Sequence, residues 1–185
     1  MQSLKYFKIL LIIMILPLIQ GQTFVIDPVK NAVWHNEKGL LFLGRGNYLG
    51  AIQEFKIAIS LNDNTQVSAS FYNNLGKSYY NLQAYDLAAE CFEKAVNLDP
   101  NFLKYYKNLI DTYDAQKILD KVIKQYGNII EKDCYNSRAF LMLGLIAEKQ
   151  EKKPESIMYL SEYTRLEPDL NLTREIEEVL KEMRK

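Results

Sequence analysis

Few residues in this sequence are suited to catalysis or metal binding. Its 185 residues include one histidine and two cysteines. A single histidine, His35, excludes a multi-histidine metal site, and the cysteines do not form a Cys-x-x-Cys motif. No glycine-rich phosphate loop precedes a lysine with a hydroxyl neighbour. The sequence therefore predicts no cofactor, no metal site and no enzymatic activity.

The two cysteines allow two interpretations. Cys91 falls on the apolar face of a predicted helix, whereas Cys134 falls in a predicted turn. A disulfide is possible, but unpaired cysteines that act as small apolar residues are the favoured interpretation.

An excess of charge of one sign is also absent, because 23 basic residues balance 23 acidic ones. Without residues 1–21, which contain Lys5 and Lys8 but no acid, 21 basic residues remain against 23 acidic. Nucleic-acid binding proteins usually carry a basic patch. We therefore expect neither a nucleic-acid partner nor electrostatic attachment to an anionic membrane.

The one long apolar run lies near the N-terminus, at residues 9–19, between the lysines and Gly21. A basic start, a short apolar core and a small residue are typical of a secretory signal peptide. The run is shorter than the roughly 20 residues that span a bilayer, and Pro17 interrupts it. Residues 1–21 are therefore predicted to be a cleaved signal peptide, with an uncleaved N-terminal membrane anchor as the alternative.

Residues 69–100 show the clearest helical periodicity. Two amphipathic helices are predicted there, joined by a turn at Asn81–Asp86 and ended by Pro100. A glycine inside a helix costs roughly 1 kcal/mol relative to alanine. Gly76 therefore indicates close packing against the second helix, where Ala88 is also small.

The same pattern recurs along the chain. Adding 68 to the positions of Gly76, Ala88, Phe92, Ala95 and Pro100 gives Gly144, Ser156, Leu160, Tyr163 and Pro168. Subtracting 37 gives Gly39, Ala51, Phe55, Ala58 and Asp63. Adding 34 gives Ile110, Val122, Tyr126, Ile129 and Cys134, so the small residues are lost in this copy.

A helix pair that repeats about every 34 residues resembles the tetratricopeptide repeat. The resemblance implies an all-α fold, a right-handed superhelix (α-solenoid) of about four antiparallel helix pairs plus a C-terminal capping helix. Residues 22–31 would form a lead-in segment and residues 32–185 the repeat domain. The repeats are placed at about 32–65, 69–102, 103–136 (degenerate) and 137–170, with the capping helix at 171–185. We expect Asn31 to cap the first helix and Asp114 to be the turn residue of the third pair.

In this family the first helices of successive repeats line a concave groove that binds an extended peptide or a helix of another protein. The matched glycines place thirteen residues on that face: Asn36, Ser70, Asn73, Asn74, Lys77, Tyr80, Lys104, Lys107, Asn108, Asp111, Arg138, Leu141 and Glu148. Asparagine amides can pair with peptide backbone, and the cations can meet carboxylates. The alternative is that these residues are only solvated side chains of an exposed face.

The carboxylate clamp of chaperone-binding family members is not present. Asn74 and Lys104 match it, but Asn36, Leu40 and Asn108 stand where the clamp has lysine, asparagine and arginine.

The resemblance implies a non-catalytic adaptor of the cell envelope or secretory compartment that binds another protein. An exported location is expected, in the bacterial periplasm or cell envelope rather than secreted or membrane-anchored. Contact with a membrane would occur only through an uncleaved N-terminal segment. The alternative is a self-assembling structural subunit, a homo-oligomer that uses the last helix and the apolar first helix with Val33, Leu40 and Leu43.

Overall fold

The computed structural model describes residues 27–168 and 171–185, so the predicted signal peptide lies outside the described residues. Within these ranges the regular secondary structure is entirely helical and consists of nine helices joined by short turns. They are α1 (Pro28–Gly44), α2 (Tyr48–Leu61), α3 (Gln66–Asn81), α4 (Tyr85–Leu98), α5 (Leu103–Ala115), α6 (Leu119–Lys132), α7 (Ser137–Lys149), α8 (Lys153–Leu166) and α9 (Asn171–Met183). None of these helices has both the length and the apolar composition needed to cross a membrane.

Consecutive helices pack against each other along the whole array. The closest pairs are α1 with α2, α3 with α4, and α7 with α8, and α9 packs on α8. Leu172, Ile176 and Leu180 of α9 are buried in the main core. The predicted all-α solenoid of four helix pairs with a final helix is confirmed.

Close approach within three pairs depends on a glycine. A Cβ atom at Gly39 would lie 2.5 Å from the Phe55 ring, and one at Gly76 would lie 2.8 Å from the Phe92 ring. At Gly144 it would lie 2.5 Å from Leu160. Real Cβ atoms do not approach other atoms so closely, so each glycine leaves the space that a side chain of the second helix fills.

The third pair lacks this arrangement. Ile110 occupies the glycine position and is 2% exposed. The helices α5 and α6 pack far less closely than the helices of the other three pairs. Since an isoleucine side chain holds the two backbones apart, the third pair is splayed.

The four turns within pairs share one backbone geometry. Gly46, Gln83, Lys117 and Glu151 have positive φ angles of 73°, 60°, 60° and 58°. The amide that follows each of them donates to a carbonyl five residues earlier, as from Asn47 to Phe42 (2.9 Å) and from Ile118 to Tyr113 (3.0 Å). These bonds satisfy carbonyls at the helix end. Because three of the four residues are not glycine, the hydrogen bonds and the packing of the pair maintain the turn.

This geometry corrects the predicted turn of the third pair. Asp114 lies inside α5, and the turn consists of residues 116–118. The prediction at Asp114 was wrong because it searched for a residue type that favours turns, whereas Lys117 adopts the positive φ despite its side chain.

The start of α1 is also earlier than expected. The Asp27 side chain accepts hydrogen bonds from the backbone amides of Val29 (3.0 Å) and Lys30 (3.3 Å), and the helix begins at Pro28. The predicted cap at Asn31 is therefore wrong. Proline is favoured in the first turn of a helix, where its missing N–H is not needed.

Both cysteines are free, Cys91 buried and Cys134 exposed. Burial raises the pKa of the Cys91 thiol to about 12. This agrees with the favoured interpretation of unpaired cysteines.

A buried carboxylate joins the first two helices. Glu54 of α2 is 8% exposed. Its Oε1 atom lies 2.7 Å from the Lys38 ammonium, and its Oε2 atom lies 2.7 Å from His35 Nδ1; both partners belong to α1. The hydrogen bond from Lys38, with a smaller contribution from His35, lowers the pKa of Glu54 below 4.5 despite its burial. His35 is thus part of a structural contact between α1 and α2.

Replacing a packing glycine and a surface glycine should change stability in opposite directions. We expect Gly76→Ala to lower the free energy of unfolding by about 1 kcal/mol, because the Phe92 clash outweighs the gain in helix propensity. Gly127→Ala on α6, where a Cβ would meet no atom within 4 Å, should raise it by about 0.5–1 kcal/mol. Urea unfolding of the two variants measures both, and stabilisation by Gly76→Ala would contradict the packing argument.

The Glu54 contact should make stability depend on pH. A lowered pKa means that the carboxylate stabilises the fold above its unfolded pKa and ceases to do so as the pH falls through its folded pKa. Glu54→Gln should therefore lower stability by about 1–3 kcal/mol at neutral pH. The difference from the unmodified chain should shrink near pH 3. Thermal unfolding at both pH values tests this, and a difference that is independent of pH would exclude a charged Glu54 as its origin.

Candidate partner-binding groove

A chain of asparagine amides crosses three of the first helices. Asn74 Nδ2 donates to Asn36 Oδ1 of α1 (3.0 Å), and Asn73 Nδ2 donates to Asn74 Oδ1 (3.3 Å). Asn108 Nδ2 of α5 donates to Asn73 Oδ1 at 2.6 Å. We call these four residues the asparagine chain. It joins α1, α3 and α5 side by side.

The asparagine chain is largely occupied by its own contacts. Asn73 is 5% exposed and Asn74 is 8% exposed, and the Oδ1 atom of each already accepts a hydrogen bond from a neighbouring asparagine. The expectation that these two amides present themselves to a peptide backbone is therefore not supported. Their amides instead fix the spacing of adjacent helices and form the floor of the groove.

Two lysines lie close together beside the asparagine chain. Burial, and next the neighbouring charge of Lys104, lower the pKa of Lys77. Among residues 27–168 and 171–185, neither lysine forms an ion pair within 4.0 Å. We call Lys77 and Lys104 the lysine pair. It is an unbalanced positive charge on the groove.

The structure brings four of the sequence-predicted residues to one recess of about 110 Å³ next to the lysine pair. Its walls come from α3, α4 and α5: Lys77, Tyr80, Asn81, Phe92, Asn108 and Asp111. The recess is large enough for a small polar side chain.

The other end of the groove is neutralised by ion pairs between α5 and α7. Lys107 Nζ lies 3.6 Å from Glu148 Oε1. Lys149 Nζ lies 2.8 Å from Asp111 Oδ1 and 3.4 Å from Asp114 Oδ2. The hydrogen bond to Asp111 raises the pKa of Lys149. These contacts surround a cavity of about 260 Å³ lined also by Ile110 and Leu145.

Lys149 was not predicted as a groove residue. Its pairing with Asp111 depends on how α7 is rotated against α5, and a sequence spacing of 38 residues carries no signal for that.

Three predicted residues do not offer free side chains to the groove. Leu141 is 1% exposed, so its prediction as a contact residue is wrong; it occupies the same repeat position as Asn73, which is also buried. Arg138 donates from NH1 to Asn97 Oδ1 of α4 at 2.6 Å and lines a separate cleft. The Ser70 hydroxyl donates to the Val67 carbonyl of its own helix.

Residues 27–168 and 171–185 contain no cluster of three or more histidine, cysteine, aspartate or glutamate side chains arranged to hold a metal ion.

The comparison with known families gives a match at residues 69–102, to the tetratricopeptide repeat. These residues span most of α3, all of α4 and the turn between them. The chain therefore contains a tetratricopeptide repeat. The glycine contact and the turn of this repeat recur in the pairs α1–α2 and α7–α8.

Two relatives each match more than half of this chain. The uncharacterized protein ycf37 of Guillardia theta is 34% identical over 113 residues, which are 60% of this chain and 63% of that protein. The tetratricopeptide repeat domain-containing protein PYG7, chloroplastic, of Arabidopsis thaliana is 29% identical over 129 residues, 63% of this chain and 43% of that protein. The matched region thus spans less than two thirds of either relative.

Among solved structures, the crystal structure of MamA superposes with a TM-score of 0.49 at 23% identity, over 77% of this chain and 81% of that one.

The asparagine chain should be needed for stability. Asn108→Ala would leave the buried Asn73 Oδ1 without its donor, and an unsatisfied buried acceptor costs about 1–3 kcal/mol. Asn128→Ala on the exposed face of α6 is the matched control, and we expect it to be neutral or slightly stabilising. Urea unfolding of both variants gives the comparison. Equal effects would mean that the asparagine chain does not hold α3 and α5 together.

Proposed function

We propose that this tetratricopeptide-repeat protein is a non-catalytic adaptor that binds an acidic segment of another protein in the groove formed by α1, α3, α5 and α7. Tetratricopeptide repeats mediate protein–protein interaction, and the family match supports a protein partner. The observation that carries the proposal is the lysine pair, in which two cations lie close together and, within residues 27–168 and 171–185, form no ion pair within 4.0 Å.

Like charges held together make an anionic partner favourable. Each ammonium repels the other, and a carboxylate placed between them would interact favourably with both. An aspartate or glutamate side chain or a C-terminal carboxylate has the required charge. The far end of the groove does not favour an anionic partner in this way, because Lys107 and Lys149 already form ion pairs with Glu148 and Asp111.

The rigid floor supports binding at this place. The asparagine chain links α1, α3 and α5 through side-chain hydrogen bonds, so the lysine pair is carried by helices whose spacing is fixed. A partner that binds a preformed groove loses less free energy to ordering of the site. The one histidine, His35, is bound to the buried Glu54 and joins α1 to α2.

Self-assembly is a second candidate, favoured by the exposed apolar face of α1. Trp34 is 53% exposed, Leu40 is 42% exposed and Leu41 is 61% exposed. Exposed apolar patches commonly mark interfaces. Leu43, expected on this face, instead packs against the core cluster of Phe55. The apolar stripe of α9 is buried against the array, so only α1 remains as the interface for this candidate.

We also propose that residues 1–21 direct the chain to or across a membrane, with the bacterial periplasm or cell envelope as the destination. The basic and apolar pattern of this segment supports the proposal. The Arabidopsis relative is named as a chloroplastic protein, which makes a plastid compartment the alternative destination.

Charge reversal of the lysine pair should abolish partner binding. We expect a tagged chain with Lys77→Glu and Lys104→Glu to lose a partner that co-purifies with the unmodified chain from soluble and membrane fractions. The matched control carries Lys124→Glu and Lys153→Glu, which change the net charge equally at exposed positions of α6 and α8. Circular dichroism should show that both variants fold. Recovery of the same partners by all three chains would contradict the groove assignment, and recovery only of further copies of this chain would favour self-assembly.

Removal of the N-terminal segment should change the location. A tagged chain that starts at residue 27 should remain in the compartment of synthesis, whereas the full chain should be exported. Fractionation gives the location, and mass spectrometry of the mature N-terminus distinguishes cleavage near Gly21 from an intact anchor. The same location for both chains would exclude a targeting role for the segment.

A further inference from the structure

A cleft of about 320 Å³ opens beside the splayed third pair. Its walls come from α4, α5, α6 and the start of α7, and they include Glu93, Asn97, Tyr113, Lys121, Val122, Gln125, Tyr126 and Arg138. We call it the third-repeat cleft. It contains none of the residues of the lysine pair or the asparagine chain.

The third-repeat cleft has an explanation in sequence. Tyr126 occupies the position that Phe55, Phe92 and Leu160 hold in the other repeats, where each fills the space left by a glycine. Because Ile110 replaces that glycine, the space that Phe55, Phe92 and Leu160 fill is absent in the third pair. Tyr126 instead lines the cleft. The departure of the third repeat from the glycine pattern therefore coincides with a cleft beside this pair.

The third-repeat cleft is lined mainly by polar groups, with a small apolar floor at Ile118 and Val122. Val122 is 5% exposed and Tyr113 is 8% exposed. The Tyr113 hydroxyl donates to Glu93 Oε1 at 2.6 Å, so this carboxylate already has a partner in the cleft. Burial raises the pKa of both Tyr113 and Tyr126, and the nearby positive charge of Arg138 partly opposes this shift.

Two cations, Lys121 and Arg138, and one carboxylate, Glu93, line the third-repeat cleft, so its lining carries a net charge of +1. Arg138 uses NH1 to donate to Asn97, and a guanidinium has five N–H donors. In the described ranges neither Arg138 nor Lys121 forms an ion pair within 4.0 Å. The planar guanidinium fits a carboxylate through two parallel hydrogen bonds.

We propose that the third-repeat cleft is a second binding site, which takes an aspartate or glutamate side chain of a protein segment against Arg138 and Lys121. Charge complementarity selects the acid, and the apolar floor at Val122 accepts the methylene groups that carry it. The volume of the cleft suits one or two side chains of a segment rather than a whole helix. The site does not depend on the groove and remains available when the groove is occupied.

Nuclear magnetic resonance of the full-length chain tests this site. The side-chain amides of Asn97 and Gln125 report on the cleft, and those of Asn73 and Asn108 report on the groove. The probes are acetyl-Gly-Glu-Gly-amide, its neutral counterpart acetyl-Gly-Gln-Gly-amide, and free acetate. We expect the acidic peptide to shift the cleft signals with saturation and to bind about tenfold more tightly than the neutral peptide, as charge-assisted hydrogen bonds imply.

Variants separate the two sites. Arg138→Gln should abolish the saturable shifts of the cleft signals, whereas Arg45→Gln, on the exposed turn after α1, should leave them unchanged. The Lys77→Glu and Lys104→Glu chain should retain them even if groove binding is lost.

Three results would overturn the proposal. They are absence of saturation, equal affinity for the acidic and neutral peptides, and unchanged binding by Arg138→Gln. Equal binding of acetate and the acidic peptide would overturn the assignment to a protein segment and would indicate a site for small organic acids.

Discussion

The contact between a glycine of one helix and a bulky side chain of the next is the constraint on which this array depends. Gly39, Gly76 and Gly144 each admit a ring or a leucine at a distance that a Cβ would forbid. Where the glycine is replaced by Ile110, the pair is splayed. The close pairs provide the regular stack of helices, and beside the splayed pair a cleft opens between α4 and α6.

The groove combines a fixed floor with an uneven distribution of charge. Hydrogen bonds between neighbouring asparagine side chains join α1 to α3 and α3 to α5. These three helices are therefore held together by polar contacts as well as by apolar packing. Ion pairs between α5 and α7 neutralise one end. The remaining positive charge is concentrated at Lys77 and Lys104, and this distribution is the basis for an acidic partner.

The predictions from sequence succeeded where one residue type has one physical consequence. Gly76 and its counterparts predicted close helix pairs, since a helical glycine is unfavourable without such a reason. The predictions of a turn at Asp114 and a helix cap at Asn31 were wrong, because a residue type only favours a turn or a cap and does not require one. Lys117 adopts a positive φ, and Asp27 with Pro28 starts α1 earlier. In the groove, polar residue type predicted exposure for Asn73, yet its neighbours bury it.

The sequence by itself determined the helical period, the repeat length and the position at which the repeat degenerates, because these follow from residue spacing within single helices. Only the tertiary structure decided which polar side chains pair with one another. Lys149 contacts Asp111 and Arg138 contacts Asn97, and the members of these pairs are 38 and 41 residues apart in the chain. Such contacts depend on the rotation and separation of packed helices, and a local pattern does not encode either quantity.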